Sequence, residues 1–250
     1  MEDGRLLVSL PGLAQPVDVY GDEGFGALTD LWVKAGWQRR LSYETTWLGV
    51  PIIQLPEDIV MMQELLYKVR PAVVVETGVA HGGSAILYAS ILRLLGRGEV
   101  IGVDVEIRKY NRLAIQSHPM SDRISLIEGS SIDPAVVAQV RERIDGRDPV
   151  LVALDSNHTR SHVLAEMELY RPLVSPGSYM VIFDTVMDLV ADAPSGKREW
   201  CQEGAGAAVR EFLGSHPEFE VDRYYNRFGA THCRDGFLRR KPARSDRARS

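Results

Sequence analysis

Short apolar runs alternate with longer stretches of helical periodicity through the central part of the chain. Five apolar runs, each with turn or polar residues beyond it, predict buried strands over residues 73–75, 100–103, 124–127, 150–154 and 179–183. Apolar residues at helical spacing predict helices over residues 84–95, 134–144, 159–170 and 205–213. Two further strands are predicted over residues 219–224 and 236–239. Strands that alternate with helices pair in parallel, so the fold class is α/β: an open, mostly parallel sheet with helices on both faces.

The segments that flank this pattern lack it. Residues 1–50 are rich in glycine and aromatic residues and are predicted to be irregular. The division that follows is an N-terminal extension over residues 1–56, a main domain over residues 57–240 and a disordered tail over residues 241–250. Three tryptophans of the extension either line a substrate pocket or anchor this segment on the core: Trp32, Trp37 and Trp47.

Composition and charge narrow the class of protein. The 250 residues are 45% hydrophobic and 25% charged, which excludes a disordered, collagen-like or disulfide-scaffold chain and favours one large domain. The only cysteines are Cys201 and Cys233, which suits a reducing compartment and predicts a cytoplasmic protein. No apolar run is long enough to predict a membrane span, and no signal-peptide pattern opens the chain. The net charge of −5 gives no overall attraction to nucleic acid, so no nucleic-acid partner is expected.

A glycine-rich turn follows the first predicted strand, over residues 76–84 with the sequence ETGVAHGGS. Glycine lets such a turn tighten and lets a ligand approach the backbone, while the N–H groups of the next helix face that ligand. The glycine spacing differs from the dinucleotide pattern GxGxxG, which disfavours a dehydrogenase. The alternative is a turn without a ligand. His81 either contacts the ligand or packs within the turn.

Polar residues also follow the second and third predicted strands. Asp104 lies 21 residues beyond Gly83, where a carboxylate can accept both hydroxyls of a ribose, although a lone aspartate also caps loops. Ser130 and Ser131 follow the third strand and could meet an adenine edge. An N-cap by Asp133 explains that stretch equally well, and both interpretations can hold together.

Two aspartates and a histidine follow the fourth and fifth predicted strands. Carboxylates such as Asp155 and Asp184, from adjacent strand ends, can converge on one Mg²⁺ ion. His158 comes three residues after Asp155 and could face the same cavity as a general base, although an isolated loop histidine is usually a polar surface residue. A zinc site formed by His158 and His162 is disfavoured, because no third histidine or cysteine ligand is nearby.

Taken in order, these motifs resemble the cephalosporin hydroxylase family, which includes rhamnosyl and macrolide-sugar O-methyltransferases. The similarity covers residues 42–185 and rests on the stretches at residues 46–49, 75–84, 102–104, 127–131, 154–158 and 176–179. The resemblance implies a Rossmann-like class I methyltransferase fold. It also implies methyl transfer from S-adenosylmethionine, often with Mg²⁺, to a hydroxyl of a small molecule. A sugar or a glycosylated natural product is the expected acceptor, and a homo-oligomer is the expected assembly.

The resemblance carries over to individual residues. Those implied to bind S-adenosylmethionine are Glu76, Thr77, Gly78, His81, Gly83, Ser84, Asp104, Ser131 and Asp155. His158 and Asp155 match the Asp–x–x–His of the macrolide-sugar members, which provides a metal ligand and the base. In those members a Glu-Asp pair follows the fifth strand. Here the pair is Phe183 and Asp184, so Asp155 and Asp184 remain as implied metal ligands and one carboxylate is lost.

Three other functions stay open at this point, and one of them is the dehydrogenase that the glycine spacing disfavours. A hydroxylase, as the family name suggests, usually needs two histidines and a carboxylate on one iron, and the histidine spacing here does not provide that set. A non-catalytic subunit that binds S-adenosylmethionine is opposed by the presence of His158 and both aspartates, and mildly favoured by Phe183.

Overall fold

The structure, a computed structural model, describes residues 7–9 and 15–242. The strands are β1 (Leu7–Val8), β2 (Val17–Asp18), β3 (Thr46–Trp47), β4 (Val50–Pro51), β5 (Val73–Thr77), β6 (Glu99–Asp104), β7 (Ile124–Glu128), β8 (Val150–Leu154), β9 (Tyr179–Ile182), β10 (Phe219–Val221) and β11 (Phe237–Arg240). The helices are α1 (Asp22–Arg39), α2 (Pro56–Val69), α3 (Gly83–Leu94), α4 (Lys109–Ser117), α5 (Pro134–Ile144), α6 (Arg160–Tyr170), α7 (Trp200–Glu203) and α8 (Ala205–Ser215).

Seven of these strands form the central sheet, in the order β10-β11-β9-β8-β5-β6-β7. Strands β5 to β9 are parallel to one another, whereas β11 is antiparallel to both β9 and β10. The chain runs outward from β5 through β6 and β7, then returns to β8 on the other side of β5. The strand order therefore reverses between β5 and β8, and ligands of such sheets bind beyond the carboxyl ends at this point. The predicted α/β fold class is confirmed.

Both faces of the sheet are covered, which explains why the central strands read as continuous aliphatic runs. Val73 and Val75 of β5 pack into the cluster under α5, α6 and α8, whereas Val74 packs into the cluster under α2 and α3. This alternation is the two-residue period of a strand with a hydrophobic layer on each side. Among the residues described, no helix is both long and apolar enough to cross a membrane.

The prediction that residues 1–50 are irregular is wrong, because residues 22–39 form α1. The buried residues of this helix are Gly24, Thr29, Val33 and Gly36. Val33 is the only aliphatic side chain among these four buried residues. The buried face of the helix therefore does not appear in the sequence as apolar residues at helical spacing. A Cβ atom on Gly24 would lie 1.9 Å from the carbonyl oxygen of Asp18, so small residues are what allow the close packing.

Helix α1 packs beside the segment that follows β9. Val33 contacts the small cluster formed with Val186, Val190 and Ala230. The Lys34 ammonium lies 2.6 Å from Asp192, and the backbone N–H of Ser195 donates to Gln38 Oε1 at 3.0 Å. These contacts bring the N-terminal extension to the carboxyl edge of the sheet.

The end of the chain continues beyond β11. The backbone N–H of Lys241 donates to the Glu218 carbonyl at 2.8 Å. The remainder of the predicted disordered tail, residues 243–250, lies outside the described residues.

Candidate active site

Three neighbouring cavities open at the carboxyl edge of the sheet. The Asp104 cavity, of about 310 Å³, is lined by Gly78, Ala80, Val103, Asp104, Val105, Ser130, Ser131, Asp155, Ser156, Asn157 and His162. The central cavity, of about 220 Å³, has four of these residues in its own wall, together with His81, Gly83, Ser84, His158 and Asp184. The His232 cavity, of about 290 Å³, shares Tyr43, Ile53 and Asp184 with the central cavity. The three cavities therefore form a continuous row.

The glycine-rich turn is tight because backbone segments approach it closely. Gly78 has a φ of +86°, and a Cβ atom there would lie 2.0 Å from the carbonyl oxygen of Asp155. A Cβ atom on Gly83 would lie 2.2 Å from the carbonyl oxygen of Pro51. Both glycines are therefore required by the packing of the turn itself, whether or not a ligand is bound.

Asp104 holds this turn in place. Its Oδ2 accepts hydrogen bonds from the backbone N–H groups of Val79 at 2.9 Å and Ala80 at 3.0 Å. Its Oδ1 accepts from the N–H of Glu106 at 3.2 Å. A carboxylate offers about four lone-pair positions, so Asp104 can accept one further hydrogen bond from a ligand in its cavity. The loop-capping and ligand-binding interpretations of this residue are thus compatible.

A polar network closes the far end of the Asp104 cavity. His162 Nε2 lies 3.1 Å from Ser131 Oγ and 3.2 Å from Ser156 Oγ. The Ser156 hydroxyl also donates to Glu166 Oε1 at 2.7 Å, and Glu166 is buried. His162 lines this cavity and Glu166 supports it from behind through Ser156, and neither role was predicted from the sequence. Asp133 acts as the N-cap of α5 by accepting from the N–H of Ala135 at 2.9 Å.

Glu76 and Thr77 lie in β5 beneath the glycine-rich turn and line none of the three cavities. Glu76 is fully buried, and neither carboxyl oxygen has a hydrogen-bond partner among the described residues. Burial raises the pKa of Glu76 to about 8, so this carboxyl group is mostly protonated at neutral pH. His81 and Ser84, by contrast, line the central cavity.

Asp155, His158 and Asp184 meet in the central cavity. One ligand atom from each residue lies within 4.8 Å of those of the other two. His158 Nε2 is 3.2 Å from Asp184 Oδ2. Burial raises the pKa of Asp155, and the negative charge of Asp184 raises it further. Two oxygen donors and one nitrogen donor fit a divalent cation, whose charge would offset this repulsion.

Phe183 takes no part in the cluster. Its side chain is 3% exposed and packs with Val181 in the hydrophobic layer under α2 and α3. The donor set in the central cavity is therefore two carboxylates and one imidazole, not three carboxylates.

A second histidine, His232, reaches the same aspartate. Its Nδ1 lies 3.6 Å from Asp184 Oδ1, on the other oxygen from the one that faces His158. His232 precedes β11, which runs antiparallel to β9, so its loop starts at the carboxyl edge of the parallel strands. The position of His232 beside Asp184 was not predicted from the sequence. The direction of the last strand was the signal that could have found it.

The tryptophans of the N-terminal extension have three different positions. Trp37 lines the His232 cavity, and its ring centroid lies 5.4 Å from that of His232. Trp47 anchors the extension, because its Nε1 donates to Ser90 Oγ of α3 at 3.0 Å. Trp32 is exposed on the surface of α1.

The molecule combines a parallel sheet, a row of cavities at the point of strand reversal and an Asp–His–Asp cluster beside them. These are the features of a Rossmann-like fold of the methyltransferase class. The family model described as "Rhamnosyl O-methyltransferase/CmcI" matches residues 39–241. A rhamnosyl O-methyltransferase from Mycobacterium leprae (strain TN) is 34% identical over 206 residues, covering 79% of this chain and 83% of the relative. The chain therefore belongs to the rhamnosyl O-methyltransferase/CmcI family, and the predicted family is confirmed.

Solved structures agree on the fold. A structure of CmcI without ligand superimposes with a TM-score of 0.59 at 22% identity, covering 80% of this chain and 78% of CmcI. A structure of CmcI with Mg and S-adenosylmethionine gives a TM-score of 0.58 at 20% identity, covering 79% of this chain and 77% of CmcI.

The buried Glu76 predicts a pH dependence of stability. Its unfolded carboxyl group titrates near 4.5 and its folded one near 8, so between these values the folded state holds a proton that the unfolded state has lost. The contribution of Glu76 to the free energy of unfolding is therefore fully present below pH 4.5 and is lost as the pH rises through 8. Glu76→Gln should remove this dependence and stabilise the protein most above pH 7.

Urea denaturation measures the free energy of unfolding of the wild type and of Glu76→Gln. The pH values, from about 5 to 8.5, span the range between the unfolded and folded pKa of Glu76. Glu142→Gln, on the exposed side of α5, is the control and should leave the pH profile unchanged. A stability difference for Glu76→Gln that stays constant with pH would contradict the protonated state of Glu76.

Proposed function

We propose that this chain is an S-adenosylmethionine-dependent O-methyltransferase that methylates a hydroxyl group of a sugar or a glycosylated small molecule. Family membership gives the reaction class, O-methyl transfer. The observation that carries the residue roles is the shared wall between the Asp104 cavity and the cavity of Asp155, His158 and Asp184. This arrangement supports a cofactor site that directly adjoins a catalytic cluster.

The residues proposed to bind the cofactor are those that line the Asp104 cavity and the adjoining part of the central cavity. S-adenosylmethionine, when bound, supplies a methyl group on a positively charged sulfur. Asp104 would accept a ribose hydroxyl with its remaining lone-pair position, and Ser131 with His162 would face the adenine. Gly78 and Ser84 would border the methionine portion in the central cavity. Glu76 and Thr77 would act from beneath the turn, without facing the cofactor directly.

His158 is placed to act as the general base. An alcohol is a weak nucleophile until its proton is removed, and a neutral imidazole can accept that proton near pH 7. His158 Nε2 lies 3.2 Å from Asp184 Oδ2, so this carboxylate would compensate the charge of the imidazolium that forms. The acceptor oxygen then attacks the methyl carbon, the carbon–sulfur bond breaks, and S-adenosylhomocysteine leaves as a neutral thioether.

Asp155 and Asp184 would hold the divalent cation. Mg²⁺, when bound there, lowers the pKa of a coordinated hydroxyl and orients it. Because Phe183 is buried in the core, the described residues offer these two carboxylates to the cation, and the remaining positions are left to the acceptor hydroxyl and water. Oxygen positions filled by water and substrate are normal for Mg²⁺.

The remaining parts of the proposal concern assembly and location. The N-terminal extension, residues 1–56, would form the acceptor side of the site through Trp37 and Tyr43. Cys201 and Cys233 are both free thiols, which supports a reducing, cytoplasmic compartment. A homo-oligomer without a nucleic-acid partner completes the proposal.

Cofactor binding tests the assignment of Asp104. Asp104→Ala removes the proposed ribose acceptor and the anchor of the Val79 and Ala80 amides, so S-adenosylhomocysteine should bind about 1–3 kcal/mol more weakly. Isothermal titration calorimetry measures this loss. Glu128→Gln is the matched control, because Glu128 is the register partner of Asp104 on β7 but lines none of the three cavities. Failure of the wild type to bind S-adenosylhomocysteine would refute the proposed function, and unchanged affinity of Asp104→Ala would remove Asp104 from the site.

His158→Ala tests the general base. The variant should lower kcat about 10²–10⁴-fold, the usual contribution of general-base catalysis, while the affinity for S-adenosylhomocysteine stays close to that of the wild type. Single-turnover rates, calorimetry and the thermal midpoint are measured on the same preparation. His118→Ala, which lies outside the three cavities, should behave as the wild type. A folded His158→Ala protein with the wild-type rate of methyl transfer would exclude this role and direct attention to His81.

Cation binding tests the pair of aspartates. The wild type should bind one divalent cation, detected by the electron paramagnetic resonance of Mn²⁺, and its activity should be lost in chelator and restored by Mg²⁺. Asp184→Asn should bind no cation because it loses one of two carboxylate ligands. Asp188→Asn, an exposed aspartate in the following turn that pairs with Arg210, is the matched control. Full activity in excess chelator would show that the aspartates position His158 or the acceptor without a metal.

A further inference from the structure

The His232 cavity lies beyond the catalytic cluster, on the side away from the Asp104 cavity. Its lining is formed by Trp37, Arg40, Ser42, Tyr43, Ile53, Asp184, Ser195, Trp200 and His232. Asp184 is the only member of the catalytic cluster among them. A ligand in this cavity would therefore approach the cluster from the side opposite to a cofactor that enters from the Asp104 cavity. This is the approach that an in-line displacement requires of the acceptor.

His232, which lines this cavity, has one ring nitrogen without a hydrogen-bond partner among the described residues. The residue is 5% exposed, and its Nε2 has no hydrogen-bond partner among the described residues. Leaving a buried polar atom without a partner costs about 1–3 kcal/mol, so such an atom in the wall of a cavity indicates a ligand that satisfies it. The other ring nitrogen, Nδ1, faces Asp184 Oδ1 at 3.6 Å.

The position of the His232 ring is fixed from several sides. Its backbone N–H donates to Asp58 Oδ2 at 3.0 Å, and the Thr231 hydroxyl donates to the other oxygen of that buried carboxylate. The edge of the ring packs on Trp37 with an interplanar angle of 62°. A ring held in this way is preorganised to direct its free nitrogen at a bound group.

The aromatic wall of the cavity is fixed as well. Trp37 and Trp200 meet edge to face, with ring centroids 5.7 Å apart and an interplanar angle of 76°. The two backbone segments that carry them are joined by the Lys34–Asp192 ion pair and by the hydrogen bond between Ser195 and Gln38. Aromatic faces offer apolar contact area, and a few placed polar groups fix the orientation of a ligand. A sugar ring matches this combination, because it has an apolar C–H face and a rim of hydroxyls.

We propose that the His232 cavity binds the sugar ring of the acceptor, and that His232 is a positioning residue whose Nε2 hydrogen-bonds to a second hydroxyl of that ring. His158 and His232 face opposite oxygens of the Asp184 carboxylate, so the hydroxyl to be methylated and a second hydroxyl of the same ring can be engaged together. The inference rests on the proposed function and adds the cavity that holds the sugar ring and the residue that orients it.

The test uses the full chain saturated with S-adenosylhomocysteine and the probe methyl α-L-rhamnopyranoside, with its 2-deoxy, 3-deoxy and 4-deoxy derivatives. Saturation-transfer nuclear magnetic resonance measures the affinity for each probe. His232→Phe keeps an aromatic ring but removes the nitrogen, His232→Gln restores a polar atom near the position of Nε2, and Trp200→Leu removes part of the wall. Trp32→Leu, on the exposed surface of α1, is the control.

Besides the probe that lacks the hydroxyl engaged at His158, the wild type should bind one further deoxy probe about tenfold more weakly than the parent, the loss expected for one hydrogen bond. His232→Phe should bind this probe and the parent equally, and His232→Gln should recover part of the difference. Trp200→Leu should weaken all four probes alike, whereas Trp32→Leu should change none. With an acceptor that is turned over, His232→Phe should raise KM more than it lowers kcat.

A purely structural role for His232 would weaken all probes equally, and this result would overturn the proposal. So would a His232→Phe protein that distinguishes the deoxy probes as the wild type does. If S-adenosylhomocysteine binds but no rhamnoside probe does, the inference fails while the proposed function stands. If S-adenosylhomocysteine itself does not bind, the proposed function fails first.

Discussion

The close approach of two backbone segments at the point of strand reversal organises the whole site. At Gly78 a Cβ atom would lie 2.0 Å from the Asp155 carbonyl oxygen, and the Asp155 N–H donates to Thr77 at 2.9 Å. Any side chain at position 78 would separate the loops after β5 and β8. Because the Asp104 cavity and the catalytic cluster share the wall formed by these loops, their separation would also pull the proposed cofactor and base apart. A displacement of about 1 Å can cost such a reaction about 10²-fold in rate.

Several carboxyl groups near the same edge of the sheet are buried away from water, which disfavours their charged form. Burial raises the pKa of Asp58 to about 6 and that of Glu76 to about 8, and it raises the pKa of Asp155 as well. Repulsion among buried carboxylates is relieved by protonation or by a cationic partner. Glu76 pairs with no cation among the described residues, and burial outweighs the influence of the nearby Ser84 hydroxyl, so it keeps its proton. Asp184 instead lies between the imidazole rings of His158 and His232.

The sequence predicts the parts of the molecule that depend on local pattern. Strands β5 to β9 are buried on both faces, so their aliphatic runs stand out, and the polar residues after them fall at one edge because parallel strands end on the same side. Asp155 and His158 could be placed beside Asp184 for this reason. Helix α1 escapes prediction because it packs through glycine and threonine, which leave no apolar period. The position of His232 cannot be predicted from the sequence pattern, because it depends on the direction in which β11 pairs with β9. That pairing is a long-range contact, and the periodicity of the sequence does not indicate it.

The two sides of the site differ in how they are built. The proposed cofactor side is formed by the ends of the parallel strands, whose backbones are fixed by the sheet ladder and by contacts such as that of Gly78 with Asp155. The proposed acceptor side is formed by α1, by the segment that carries Trp200 and by the loop before β11, which meet through side chains such as Lys34 with Asp192. Side-chain contacts between loops and helices can change without disturbing the sheet, and binding specificity in enzymes is commonly carried by such segments. Under the proposed assignment, the fold could therefore keep one cofactor and one cluster while changes in the shape of the His232 cavity alter which acceptor is methylated.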